Sequence, residues 1–502
     1  KMFRIFGPPG TGKTTTLLNM VDKALSEGIA PTEIAFLAFT RKAANEAKER
    51  ASERFSLDPD ADLFFFRTLH SLSYRMLGLQ DSQLMKTENY KELAQYTGIR
   101  LTTIKNDAEF ENGKIAVTDH PVLGLINLAA IKKVSLREEY DRTDFYHDWT
   151  EVSYIDTSYR EYKVSNGLLD YTDMLVMYAR QLKNCTPRFK LCFLDEAQDL
   201  SPIQWDIAHS LDDISDKMYV AGDDDQAIYR WSGADVQHFI ELDSGSQVLE
   251  QSYRIPRQVH EVAERIADRI TDRFPKKYLP KQAEGTVRRI YDMDELDMGE
   301  GSWLVLAQAN FFLDDFDASL RSMGFLFEKA HGRSISERLS EAVNGWEQLR
   351  KGREVTLHAA QTIYSYMSGN GKKIARGHKT INADEEELFS LKRLQDDFGL
   401  LATKDEIWHE AMDKLPATDR AYMTALLRRG ESFNGKPRIR LSTIHASKGG
   451  EADNVVLLTS LTPAASRAQN TDIHRVFYVA VTRARENLFL MDGQDYFENY
   501  LV

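Results

Sequence analysis

Short apolar runs, each ending in a turn and leading into a helical pattern, recur along the chain. Met2–Phe6, Ile34–Phe39, Leu191–Leu194, Met218–Ala221, Trp303–Ala307, Val455–Thr459 and Leu488–Met491 are the β-rich runs of this kind. Strands that are hydrophobic on both faces belong in parallel sheets covered on both sides. After the first run, Leu17, Leu18, Val21, Ala24 and Leu25 fall at helical spacing and Gly28 stops the pattern, which predicts a helix from about Thr14 to Glu27. The alternation of strand and helix predicts an α/β fold of doubly wound units.

The alternation breaks twice. Residues 81–166 are mostly helical, aromatic and mixed in charge, without a parallel-strand pattern. Residues 347–437 are again helical and polar, with a Gly/Lys-rich loop at Ser368–Lys379 and an acidic run at Asp384–Glu387. Both read as insertions hung on two α/β cores, a length of 502 residues being enough for three or four domains.

Composition narrows the partners. Lysine and arginine number 64 against 77 acids, a net charge of −13, so any nucleic-acid site must be a local basic or aromatic cleft rather than a basic coat. Cys185 and Cys192, with no CxxC and no nearby His pair, exclude a disulfide framework or zinc ribbon and point to a reducing compartment. No apolar stretch approaches the ~18 residues of a membrane span. Lys1–Gly12 runs into glycines rather than a long apolar region. A soluble, cytoplasmic protein, or one of the DNA-containing compartment, is expected.

The chemistry begins at Gly7-Pro8-Pro9-Gly10-Thr11-Gly12-Lys13-Thr14, a complete G-x-x-x-x-G-K-[ST] between a strand and a helix. Glycines let backbone N–H groups curl around phosphate, and the helix N-terminus adds a favourable dipole. Lys13 can reach the β- and γ-phosphates, and the Thr14 hydroxyl can ligate Mg²⁺. Leu191–Leu194 ends in Asp195-Glu196, at the strand edge where open α/β sheets bind ligands. There Asp195 suits Mg²⁺, and Glu196 suits a general base for the attacking water.

With those residues in place, the chain resembles superfamily 1 helicases of the UvrD/Rep/PcrA type, through motifs in the family's order from Gly7 to Arg485. Asp195-Glu196-Ala197-Gln198-Asp199 followed by Gln204 is similar to the DExQD motif, and Gly222–Ala234 to the GDDDQSIYRWRGA segment. Leu249–Arg254, Thr443–Glu451 and Tyr478–Ala484 resemble motifs IV, V and VI. Ala38–Ala44 and Thr68–Ser71 resemble the two early DNA-contact motifs. The resemblance implies two RecA-like cores with parallel sheets, each carrying a mainly helical insertion. Core 1A would cover 1–80 and 167–250, insertion 1B 81–166, core 2A 251–346 and 438–502, and a shortened insertion 2B 347–437.

The same resemblance implies ATP held between the cores by Gly7, Gly10, Thr11, Gly12, Lys13, Thr14 and Thr15, with Mg²⁺ on Thr14 and Asp195. Gln226 would sense the γ-phosphate, and Arg254 and Arg483 would reach in from the second core. An Arg fork suits the equatorial oxygens of a transferring phosphoryl group. Glu451 would meet the ribose and Tyr253 the adenine. Phe39, Thr40, Arg41, Thr68, His70, Tyr229, Trp231, Thr443 and His445 sit at the family's DNA positions. Aromatic platforms with scattered phosphate contacts are what sequence-independent single-strand binding needs.

Three positions depart from the family pattern. No Gln stands among the six residues before Gly7, Thr15 replaces a common Arg, and Ser232 replaces a second Arg. The cluster Lys372, Lys373, Arg376, His378 and Lys379 reads either as a solvated loop or as a duplex contact. The expected function is an ATP-dependent single-stranded DNA translocase and helicase of 3′→5′ polarity, a monomer able to self-associate on DNA and to engage single/double-strand junctions. Two alternatives stand beside it: a protein-displacing translocase with little unwinding, and a nucleotide-switched scaffold subunit with a silent motor.

Overall fold

The computed structural model describes residues 2–107, 110, 113–468, 471–494 and 496–502. The chain forms two compact units, residues 2–283 with 471–479, and residues 284–468 with 480–502.

The first unit is built on a six-stranded, wholly parallel sheet. Its spatial order is Phe66–Thr68, Ile34–Ala38, Phe189–Leu194, Ser215–Gly222, Met2–Phe6 and Gly245–Val248. Every apolar run expected in this half is a strand here. Helices cover both faces. Leu17, Leu18 and Val21 of Lys13–Ser26 pack on one side with Ala44 and Ala47 of Arg41–Phe55, and Leu175, Tyr178, Ile207 and Leu211 on the other. Parallel pairing brings the C-terminal ends Phe6, Ala38, Leu194 and Gly222 to one edge of the sheet, so the loops that follow them converge.

The described residues of 81–166 are mostly helical, as expected, with helices Thr87–Thr97, Pro121–Lys132, Leu136–Arg142 and Trp149–Asn166. They enclose their own core of Tyr90, Leu93, Val122, Leu125, Val152, Ile155 and Tyr159. A short antiparallel ribbon, Ile104–Asn106 with Ala116–Thr118, was not foreseen.

In the second unit a seven-stranded sheet runs Gly332–Arg333, Phe327–Lys329, Ile439–Thr443, Trp303–Ala307, Ala452–Leu458, Ala484–Met491 and Thr286–Ile290. All its pairings are parallel except the terminal hairpin of Glu328 with Arg333. Two parallel sheets with helical insertions make the fold a pair of RecA-like α/β cores. The 347–437 region carries helices Leu357–Ser365, Leu391–Asp397, Trp408–Ala411 and Ala417–Arg428. Its apolar residues Ile363, Met423 and Leu426 join one continuous core with Val305 and Leu441 of the sheet.

Two features differ from the sequence reading. The helix Glu337–Arg350 runs across the boundary expected at 347. Residues 251–283, expected in the second core, belong to the first unit. The reason is electrostatic: Arg273 and Lys276 are ion-paired with Asp225 and Asp224 of the first sheet's loop, and Ser252 Oγ donates to Pro9 O at 2.8 Å.

Trp346 anchors the second unit, fully buried in that shared core with its indole N–H on Glu406 O at 2.9 Å. Trp346→Ala should cost ~3–5 kcal/mol of stability, read as a lowered urea midpoint at unchanged slope. A midpoint within error of wild type would contradict the shared core.

Candidate active site and nucleic-acid cleft

The loop after the first strand owes its shape to glycine. Gly10 and Gly12 take φ of +70° and +77°, which other residues rarely adopt. A Cβ at Gly10 would lie 2.3 Å from Arg254 Cβ, and one at Gly7 2.6 Å from Lys13 Cβ. Thr11 Oγ1 closes the turn by donating to Pro8 O at 2.7 Å. The following helix, Lys13–Ser26, has no acid in its first turn, leaving its N-terminal dipole available to an anion.

Lys13 Nζ sits 3.1 Å from Asp195 Oδ1 and 2.8 Å from Glu196 Oε1, and Thr14 Oγ1 donates to Asp195 Oδ2 at 3.1 Å. Burial alone would lower the Lys13 pKa, but the two carboxylates overturn it and hold the ammonium above the ordinary lysine value. Burial, helped by Glu196, raises Asp195 above the usual carboxylate range despite Lys13. The two acids differ in access: the Asp195 side chain is 2% exposed and that of Glu196 35%. Glu196 is therefore the one that water can reach.

Glu196 is held in an unusual way. Its backbone is left-handed, φ 57° and ψ 42°, a conformation that costs a non-glycine residue about 1–3 kcal/mol. Its N–H donates to Asp195 Oδ1 at 2.8 Å, and Gln198 Nε2 donates to its carboxylate at 2.5 Å. Gln198, fully buried, also accepts from the Asp223 N–H at 3.0 Å. A Cβ on Gly222 would fall 2.3 Å from that Gln198 oxygen, so the close approach requires glycine. Gln226 Nε2 donates to Asp223 Oδ2 at 2.7 Å. One chain of hydrogen bonds thus joins Glu196 to Gln226.

The segment 252–254 lies against the phosphate loop. Tyr253 N–H donates to Gly10 O at 2.8 Å while its ring stays largely exposed, and Arg254 packs on Gly10. Arg254 thus stands in the first unit, not the second as expected, because Ser252 bonds to the loop at Pro9. Thr15 is exposed on the first turn of the helix.

These residues fit a polyphosphate: open N–H groups, a cation, and glycines where side chains would collide. Asp195 and Thr14 fit a hard divalent cation that takes its other ligands from substrate oxygens and water. Among the described residues no group of three or more His, Cys, Asp or Glu gathers at a metal-like site.

Beside the phosphate loop opens a cleft of about 400 Å³, lined among others by Phe39, Thr40, His70, Tyr171, Asp199 and Tyr229. Phe39 and Tyr229 stack with centroids 6.3 Å apart, and His70 stacks on Tyr171 at 3.6 Å. Burial pulls His70 down to about 3, so its ring is neutral, and its Nε2 has no hydrogen-bond partner among the described residues. Burial and the nearby Asp199 and Glu196 push Tyr229 up to about 12. Thr40 and Thr68 are helix N-caps, accepting from Ala43 N–H at 3.3 Å and Ser71 N–H at 3.2 Å. Arg41 is half-buried at the start of its helix. Trp231 is 69% exposed in the turn Arg230–Ser232, which is no place for a core residue.

The remaining expected residues lie in the second unit. Arg483 is buried, donating to Gly450 O at 3.1 Å and Thr482 Oγ1 at 3.2 Å. Glu451 pairs with Arg485 at 3.4 Å. Thr443 Oγ1 accepts from Ala446 N–H at 3.3 Å, and His445 is half-buried in the next turn. In the basic loop, Lys373 is paired with Glu406, and Lys379 donates to Tyr364 O and Met367 O. Lys372, Arg376 and His378 remain exposed.

Sequence reading gave no role to Gln198, Tyr171, Arg273 or Lys276. Gln198 was visible inside DExQD; the other three lie outside the motifs and carry no local signal.

Residues 1–246 match the model of the UvrD/REP helicase N-terminal domain, and residues 438–491 that of the UvrD-like helicase C-terminal domain. The ATP-dependent DNA helicase PcrA of Bacillus subtilis is 24% identical over an alignment covering 97% of this chain and 80% of that protein. PcrA of Staphylococcus aureus is 26% identical over 59% of this chain and 42% of its own length. A solved arterivirus helicase aligns at 11% identity and a TM-score of 0.35, covering 99% of this chain and 60% of that one, so the fold assignment rests on the strand orders above. The chain belongs to the UvrD-like helicases of superfamily 1 and is an enzyme of that class, a helicase with an ATPase core.

Glu196→Gln keeps size and the bond to Gln198 but removes the basic oxygen. ATP turnover should fall by ~10²–10⁴ while nucleotide binding, followed by fluorescent-analogue titration, persists. Lys13→Ala should weaken both. Normal turnover in Glu196→Gln would remove it from the chemistry.

Proposed function

We propose that this chain is an ATP-dependent DNA helicase that moves along one strand, 3′→5′, and separates duplexes ahead of it. The observation that carries the reading is the Lys13 ammonium shared by Asp195 and Glu196 beneath a phosphate-binding loop, with Glu196 linked through Gln198 and Asp223 to Gln226.

ATP is bound through Gly7, Gly10, Thr11, Gly12, Lys13, Thr14 and Thr15, with Tyr253 at the base and Glu451 at the ribose. Thr14 and Asp195 would hold Mg²⁺, which when bound would supply charge neutralisation at the phosphates. Glu196 takes the proton of the attacking water, and the left-handed backbone together with Gln198 fixes its carboxylate for that task. Gln226 reports the γ-phosphate, while Arg254 and Arg483 stabilise charge on the transferring group.

The single strand runs over Phe39, Tyr229, Trp231 and His70, with Thr40, Arg41, Thr68, Thr443 and His445 near its backbone. The neutral His70 ring suits stacking rather than phosphate pairing. Because the Thr40 and Thr68 hydroxyls are already spent as caps, their contribution to phosphate binding is through the helix N-termini they define. The protein acts as a monomer that can self-associate on DNA, at single/double-strand junctions in the DNA-containing compartment.

A protein-displacing translocase with little unwinding is favoured by one observation: two of the five basic-loop groups, Lys373 and Lys379, are already engaged within the protein. A forked-duplex assay beside a single-strand translocation assay tests the choice. Both activities are expected, and translocation without strand separation would overturn the helicase reading.

Trp231→Ala should weaken single-strand affinity roughly ten- to a hundred-fold, the effect of losing a stack worth ~1–3 kcal/mol. Basal ATPase and thermal midpoint should hardly move, since the ring is exposed. A lowered midpoint with all rates falling together would exclude the stacking role. Alanine at Arg254 or Arg483 should cut kcat by ~10³ or more with DNA binding retained; turnover within a few-fold of wild type would dismiss that residue as a phosphate ligand.

A further inference from the structure

The loop after Gly222 carries three acids that are neutralised by a segment outside the motifs. Asp223, Asp224 and Asp225 are consecutive and each at most 1% exposed. Three adjacent buried carboxylates repel one another and are costly unless neutralised. The neutralising groups come from fifty residues further on. Lys276, its side chain 1% exposed, places Nζ 2.6 Å from Asp224, 2.9 Å from Asp225 and 3.4 Å from Asp223. Arg273 adds a bidentate pair to Asp225 at 2.9 and 2.7 Å, and the Phe274 N–H donates to Asp224 at 2.7 Å.

The three acids are not equivalent. Asp224 and Asp225 are each held by at least two groups of the 273–276 segment. Asp223 meets only Lys276 there, and at the longest distance. Its remaining partners lie at the active site: Oδ2 accepts from Gln226 Nε2 at 2.7 Å, Oδ1 from the Asp225 N–H at 3.1 Å, and its own N–H reaches Gln198. Burial and the neighbouring acids already push Asp223 up to about 6 in spite of Lys276.

We infer that Lys276 is a positioning residue for ATP hydrolysis: its ammonium keeps Asp223 an acceptor, and Asp223 in turn holds the amide nitrogen of Gln226 so that the side chain keeps one orientation. An ionised carboxylate only accepts, so it fixes the nitrogen of the amide toward itself. A protonated one also donates, and an amide that faces it can turn its oxygen inward instead. Without Lys276, Asp225 keeps Arg273 and Asp224 keeps the Phe274 N–H, whereas Asp223 keeps nothing from that segment, so a proton would settle there. Lys276 touches neither phosphate loop nor cleft, so its influence passes through Asp223. The inference rests on Gln226 being the γ-phosphate sensor.

The test is a cycle of Lys276→Met, Gln226→Ala and the double variant, with kcat and KM for ATP, single-strand affinity and far-UV circular dichroism on each. Lys276→Met should lower DNA-stimulated kcat by about 10–100-fold, the range typical of groups that orient a reacting shell, with KM and DNA affinity within a few-fold of wild type. Lys276→Arg should recover most of the loss. In the Gln226→Ala background Lys276→Met should add little. Equal losses in both backgrounds would overturn the role of Lys276 and leave the sensor reading standing. Wild-type kcat in Gln226→Ala would overturn the sensor reading and this inference with it. Should Lys276→Met fail to fold, Asp223→Asn, which relieves the buried charge, takes its place in the same cycle; an additive loss there would overturn the inference equally.

Discussion

The ammonium of Lys13 between two carboxylates is the interaction on which the rest depends. It brings the phosphate loop of one strand to the acidic end of another, at 3.1 and 2.8 Å, in a setting where burial alone would disfavour the charges of Lys13 and Asp195. One cation against two acids leaves the pocket short of positive charge. An incoming polyphosphate must therefore carry its own cation or draw Lys13 away from a carboxylate. The unequal exposure of the acids decides which lets go: Asp195 is sealed in the sheet edge, and Glu196 faces solvent. In the proposed chemistry the same inequality separates a metal ligand from a base, two carboxylates given different work by their surroundings.

Around that centre the fold invests in fixed geometry. Glycines at 10 and 222 open space that side chains would close, Gly12 supplies a left-handed turn, and Glu196 is held in a left-handed backbone by bonds from Asp195 and Gln198. The hydrogen-bonded path from Glu196 through Gln198 and Asp223 to Gln226 ends five residues before Trp231. A short segment that carries both the proposed phosphate contact and an exposed aromatic ring can couple the two without a long relay. The cleft beside it, with Phe39 stacked on Tyr229 and His70 on Tyr171, is lined in part by the same loops, because they leave one edge of one parallel sheet.

How much of this was legible in the chain follows from where each signal lives. Central strands such as Ile34–Ala38 and Trp303–Ala307 are apolar on both faces and announce themselves. The edge strands Gly245–Val248 and Thr286–Ile290 are mostly exposed and look like loop. The phosphate loop and the acidic pair were readable because their chemistry is written in consecutive residues. Lys276 was not, since nothing local marks a lysine that will be buried against carboxylates fifty residues away. The assignment of 251–283 to the first unit has the same origin: it is fixed by Arg273, Lys276 and Ser252, each a long-range contact. The acidic total agrees with the cleft proposed for the strand, whose lining is aromatic rather than basic.

The most direct test is the steady-state ATPase of the unmodified chain, with Mg²⁺, in the presence and absence of a single-stranded oligothymidylate. If the Lys13 centre is an ATP site coupled to the aromatic cleft, hydrolysis will require the metal and rise roughly 5- to 150-fold with the oligonucleotide, the span of ordinary inter-site coupling. Hydrolysis that is absent, or that proceeds at one rate with and without the strand, would contradict the account.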